Sequence, residues 1–334
     1  MDGIISTKHQ SHALCMLTFL VLFNACERNN YELLDPATAG KMTLYTTADG
    51  LPGNEVKDIK LDDKGNLWFT FPGHGTAMLN DSGWTIYAAG PTQLLSNAVT
   101  VLDVTSNGNI VIGTSDGLSI LSSSSVWSSY IDPSASMYVN AIKVASNGWV
   151  WVGTQNQGFY VNYGSGFVRN LTYQHANINT IEEGKGGNIF LGTDSGIIKW
   201  DGSGYSYLKL INGLPSNRVT SLRYDSRQRL WIGTDGGKNA AWLDDGGIHQ
   251  LDLLAGADSL LINDIHEDRK GDIWFATAAN GLIMYNGIAP YSFKEYNGLP
   301  ENDINCIGED KYGDLWFGLA SKGLVKYTLP LDKK

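Results

Sequence analysis

The chain has 334 residues, 43% of them hydrophobic and 17% charged, with 39 glycines, 10 tryptophans and 16 tyrosines. Glycine stands well above the roughly 7% usual in proteins and charge below the usual ~25%, a balance that favours many tight turns joining apolar strands. The formal charge of −10 leaves no basic surface for phosphate contacts, and so excludes nucleic acid as a partner.

The first 25 residues read as a segment apart. An opening with Lys8 is followed by the apolar run "ALCMLTFLVLFNA", whose 13 residues suit the core of a signal peptide. A membrane-spanning helix needs about 20 such residues. Cys26 follows the small residue Ala25, and "LFNAC" resembles a bacterial lipobox, so lipidation of Cys26 is expected; simple secretion with a cut near Cys26 is the alternative. Residues 26–40 then form a linker. With Cys15 removed and Cys26 lipidated, Cys306 is the remaining thiol, and its setting "INCI" reads as a small buried hydrophobe. No later segment is long and apolar enough to suggest a second membrane passage, so contact with the membrane is expected through the lipid alone.

From residue 41 one unit recurs. Its marker is an apolar triplet, usually followed by Gly-Thr, centred on Trp68, Val111, Trp151, Phe190, Trp231, Trp274 and Trp316, with steps of 43, 40, 39, 41, 43 and 42 residues. An aliphatic residue precedes each triplet by eight positions (Ile59, Leu102, Ile142, Ile181, Leu222, Ile265, Ile307) and another by eleven, from Val56 to Ile304. Two residues before the triplet stands a glycine in six copies and Gln228 in the other, the place of a hairpin turn that needs positive φ. A second glycine follows, leading another apolar run. Each unit therefore predicts four short antiparallel strands, a to d from the inside out, and repeats of this length and make-up are those of propeller blades.

The expected fold is all-β: a seven-bladed β-propeller over residues 41–330, with 331–334 as a tail. The copies are out of phase with the chain. "KMTLYTTAD" at 41–49 looks like a strand d without a blade, while blade seven runs out after its strand c at "GLVKYTLP". The N-terminal strand is thus expected to complete blade seven and remove its open edge.

The pattern "GLPxNxVxxI…DxxGxLWIGTxxGL", read best at 219–234 and 304–324, resembles the two-component regulator propeller repeats of bacteria, over about residues 41–330. The resemblance implies an extracytoplasmic sensor propeller that recognises glycan fragments, of the kind that forms half of hybrid histidine kinases, often in pairs. This sequence shows one propeller, no kinase and no transmembrane exit. It also implies a Gram-negative, Bacteroidetes-like setting, hence an outer-membrane lipoprotein facing the periplasm or the cell surface; separately, a monomer is expected.

In a propeller the d–a and b–c loops share the face where ligands usually sit. The GLP-x-Asn strings at 50–54, 213–217 and 298–302 fall in d–a loops. Gly and Pro explain most of each string as a turn, leaving Asn54, Asn217 and Asn302, with Asn97, as amides at the mouth of the channel. Loops that break the pattern offer His74 in "FPGHGT", Tyr138, Gln155 and Gln157 in "TQNQG", Tyr173 and His175 in "LTYQHAN", and Asp235 and Lys238 in "TDGGKNAAW". Aromatic rings with amides and a few charges suit a carbohydrate, and converging polar groups make a pocket. The expected function is a binding module for a glycan or an envelope protein, without cofactor or metal. The alternative is a propeller enzyme, a polysaccharide lyase or hydrolase or a streptogramin-lyase-like protein, using His74 or His175 for acid/base chemistry. No His and Glu cluster matches the streptogramin lyases residue by residue. A third reading is a purely structural part of an envelope assembly.

Overall fold

In the computed structural model, which describes residues 40–237, 239–254 and 259–329, every repeat is one antiparallel four-stranded sheet, and the described strands make seven of them. The expected signal peptide, Cys26 and nearly all of the linker lie outside the described residues, as do Lys238 and the tail. Four short 3₁₀ turns are the helical content among the described residues, and none of their helices is long and apolar enough to cross a membrane.

The repeated residues account for each blade. The glycine before the triplet has φ of 77–88° at Gly65, Gly108, Gly148, Gly187, Gly271 and Gly313, and Gln228 takes the same turn at 64°. In four blades an aspartate opens this turn. Asp62, Asp225, Asp268 and Asp310 accept the indole N–H of Trp68, Trp231, Trp274 and Trp316 at 2.8–3.0 Å through one oxygen. Their other oxygen accepts turn amides at 2.7–3.0 Å. A buried polar N–H is thereby satisfied and the hairpin fixed at once.

Packing between blades explains the Gly of Gly-Thr. A Cβ on Gly153 would stand 2.5 Å from Cγ2 of Ile178 in the next blade, so glycine lets the neighbouring inner strand close in. The threonine that follows turns its hydroxyl to the strand-c glycine, as Thr154 does to the Gly158 carbonyl at 2.7 Å. The apolar core is correspondingly divided into seven clusters, each at the junction of two adjacent blades.

The ring closes as the phase of the repeats predicts. Strand Lys41–Tyr45 lies outside Leu324–Thr328, with Thr43 opposite Lys326, so the last sheet takes three strands from the C-terminal end and one from the N-terminal side. The Tyr45 ring stacks on Trp316 at 5.5 Å, and the Gly40 amide donates to the Tyr327 hydroxyl at 3.1 Å.

Candidate functional site

The innermost strands carry a register that a plain alternating strand would not. In six of the seven blades the a–b pairing shifts by one residue just after the first aliphatic position, as between Val139 and Ala141. Such a bulge resets which side chains face inward. The two aliphatic positions stay buried at the blade junctions, while the residues after them, apart from His266 and Gly308, line the axial cavity.

The first of these positions forms a belt of hydroxyls and amides. Thr100 donates to the Val139 carbonyl at 2.6 Å, Asn179 to Val219 at 2.9 Å, Thr220 to Ile262 at 2.5 Å, Asn263 to Ile304 at 2.8 Å and Asn305 to Val56 at 3.1 Å. Each bond reaches the next blade, and the last one crosses the ring closure. The second position is charged in alternation: Lys60, Asp103, Lys143, Glu182 and Arg223, followed by His266 and Gly308.

Between the belt and this ring lies a cavity of about 600 Å³ on the propeller axis. Tyr138, Gln155, Asn177, Arg218 and Leu261 line it from the d–a and b–c loops, so it opens on the face expected to bind ligands. Three carboxylates on its wall, Asp58 buried and the other two half-buried, are spoken for by backbone: Asp58 accepts the Ile59 and Leu102 amides at 2.9 Å each, Asp103 those of Val104 and Val144 at 2.9 and 2.7 Å, and Asp264 those of Ile265 and Ile307 at 2.8 Å each. Burial raises the carboxyl pKa of Asp103 and Asp264, with Lys60 pulling the other way. Lys60, 3.3 Å from Asp58, is held above the ordinary lysine range chiefly by that carboxylate. Lys143 is paired with both oxygens of Glu182 at 3.0 and 3.1 Å. Cys306 is part of the lining, and burial pushes its thiol well up, which disfavours a nucleophilic thiolate.

Of the residues singled out in the sequence, Tyr138 and Gln155 reach the cavity, side by side through a 2.9 Å bond from the Gln155 amide to the Tyr138 carbonyl. The others lie elsewhere. Asn54, Asn217 and Asn302 turn their side-chain oxygens back to the amides of Thr47, Leu210 and Glu295 at 3.0, 2.7 and 2.9 Å, and Asn97 does the same for Ala89 at 2.7 Å. The Gln157 side chain is held by Arg169, and Tyr173 stacks on Phe159 at 6.0 Å. Asp235 is paired with Arg218, which also reaches Asp194 at 3.3 Å. His74 is exposed, with Nδ1 3.1 Å from the Pro72 carbonyl, and His175 is exposed in the loop before blade four; neither lines the cavity. His249 stacks on Trp242 at 5.1 Å beside Asp244, away from the axis. The reading of loops missed Lys57, Asn140, Asn179, Arg218 and Arg223, which line the cavity. For all of them but Arg218, which precedes Val219, the signal was present in register, as polar residues after an aliphatic position of the inner strand.

Comparison with known proteins follows the fold. A family model described as two component regulator propeller matches residues 213–236 and 298–320. Among curated proteins no relative matches by sequence. An extracellular domain assigned to a hybrid two component system of B. thetaiotaomicron superposes with a TM-score of 0.74 at 19% identity, over 87% of this chain and 42% of that one. A catalytically inactive virginiamycin B lyase from Staphylococcus aureus, solved with quinupristin, gives 0.72 at 17% identity, over 87% and 99% of the two chains. PorZ, described as an essential surface component of the type-IX secretion system of Porphyromonas gingivalis, gives 0.63 at 13%, over 82% and 46%. At such identities the likeness is one of fold, and the chain spans less than half the length of the first and third structures.

Proposed function

Because the chain carries two-component regulator propeller repeats, we propose that it is a cell-envelope ligand-binding module that takes a saccharide in its axial cavity, through the d–a and b–c face. The observation that carries this reading is the cavity itself. Its ~600 Å³ falls in the range of roughly 300–1,000 Å³ typical of small-molecule sites, and its mouth combines a ring, an amide and a charged fork in Tyr138, Gln155 and Arg218. Tyr138 is 40% exposed, free to stack on a sugar face. Placement outside the cytoplasm is supported by the extracellular domains that share the fold. The lipid anchor on Cys26 and a monomeric state belong to the same proposal.

The test is a glycan array with the chain from about residue 30, followed by titration of the best binder. Tyr138→Ala and Gln155→Ala are each expected to weaken binding about tenfold, which is about 1.4 kcal/mol, at an unchanged melting temperature. His74→Ala and His175→Ala are expected to leave it unaltered. Binding indifferent to Tyr138 and Gln155 refutes the site, and silence across the array favours a protein partner on the same face. Turnover that disappears with either histidine would instead support the lyase reading suggested by the fold shared with virginiamycin B lyase.

A further inference from the structure

Three of the cations along the cavity are matched by carboxylates. Lys60 has Asp58, Lys143 has Glu182, and Arg218 has Asp194 and Asp235. The carboxylates of Asp58, Asp103 and Asp264 each accept two backbone amides, and both oxygens of Glu182 face the Lys143 ammonium. Arg223 lines the same cavity from blade five, yet among the described residues no carboxylate lies within ion-pair distance of it, and its Nε is buried without a hydrogen-bond acceptor.

The neighbours make this arrangement more pointed. In the inner ring Arg223 stands between Glu182, already engaged, and His266. Positive charge on Arg223 acts unfavourably on both Lys60 and His266. A guanidinium with no carboxylate within ion-pair distance and a buried, unsatisfied donor destabilises the empty protein, because buried donors and charges need partners. Its planar fork matches the two oxygens of an oxyanion in a bidentate geometry. Lys57 adds a further positive side chain to the lining from blade one.

We propose that Arg223 is the seat of an anionic group, and that the ligand of this channel is therefore an acidic saccharide, carrying a carboxylate or sulfate, rather than a neutral one. The inference rests on the saccharide reading of the cavity. The acid group sits on the Arg223 fork at the inner ring. The hydroxyls meet the belt of amides and the Tyr138–Gln155 mouth.

The test uses the whole protein and a panel of carboxylated and sulfated oligosaccharides, among them oligogalacturonate, each paired with its methyl-esterified or desulfated counterpart. At least one acidic member is expected to bind. Its neutralised counterpart should bind tenfold or more weakly, and Arg223→Gln should lose the same factor for the acidic form only. Arg223→Lys, which keeps the charge but not the fork, should fall between. Neutral saccharides bound as well as acidic ones, with Arg223→Gln indifferent, would overturn this inference and leave the saccharide site standing. Absence of binding to every member would overturn both. A second measurement needs no ligand: unliganded Arg223→Gln is expected to melt at the same temperature as the native protein or higher. A clear fall would show that Arg223 serves the fold, and would overturn the proposal.

Discussion

Trp151 is the exception that shows how its sister tryptophans are held. Its indole N–H is buried with no acceptor, while Trp68, Trp231, Trp274 and Trp316 each donate to an aspartate six residues earlier. In blade three that position is Ala145, itself buried at 4% exposure. Blades two and four also lack the aspartate, with Thr105 and Gly184, but their centres are Val111 and Phe190, which have nothing to donate. Ala145→Asp is therefore expected to supply the missing acceptor and to gain about 1 kcal/mol, the usual net worth of a hydrogen bond. A melting temperature raised by about 2–4 °C would accord with that in a protein of this size class; one unchanged or lowered would mean that the blade-three turn cannot take the aspartate. The GLP-x-Asn strings were legible to the same depth. Gly50, Gly213 and Gly298 take φ of 100–111° at the ends of 3₁₀ turns, the next leucines are buried, and the asparagine oxygens return to those turns. An amide so used by its own loop has its acceptor committed, which is why the asparagines, attractive as a ring of sugar contacts, stand outside the cavity.

At the scale of strands, the blades could be read because their aliphatic, tryptophan and glycine positions repeat at a nearly fixed step. The closing strand could be read because "KMTLY" precedes a GLP loop as every other outer strand of its type does. Deleting residues 41–45 removes the outer strand of the last sheet together with the packed side chains of Met42 and Tyr45, and uncovers the Trp316 ring beneath. Burial of two large side chains is worth about 3–6 kcal/mol, so scanning calorimetry should show a melt lowered by about 10 °C or more; an unchanged melt would mean that the ring holds without this strand. The channel lining was harder to foresee. A strand of period two places positions one and three after Val139 on the same face, but the shift between Val139 and Ala141 turns Asn140 and Lys143 inward together and leaves Ile142 in the core. Loop residues stand out as breaks in a pattern, whereas Asn140, Asn179 and Arg223 sit within the pattern, and only alignment of all the inner strands separates them from it.

The axis is a property of the complete ring, since no blade alone encloses it, and its electrostatics should report on the assembled molecule. His266 of blade six stands 3.5 Å from Glu309 of blade seven, with Asp264 and Arg223 as further charged neighbours. Burial is the largest effect on it and lowers its pKa from 6.5, and Arg223 acts in the same direction against the two carboxylates. In the unfolded chain the imidazole takes up a proton near pH 6.5, while in the folded ring it does so only at lower pH. Between those two values the unfolded state binds more protons, so stability is lost as pH falls. Asp103 and Asp264 run oppositely, because their raised values let the folded state bind protons first, above 3.8, and favour folding as pH falls through that window. Comparison of the native protein with His266→Gln cancels the carboxylate contribution and isolates the imidazole. The difference in melting temperature, native minus variant, is expected to be constant from pH 8 to 7 and to shift against the native protein on passing below 6.5. A difference that stays level down to pH 5 would show that the ring protonates His266 as readily as water does, and that the axis is wetter and less enclosed than its charge pairing implies.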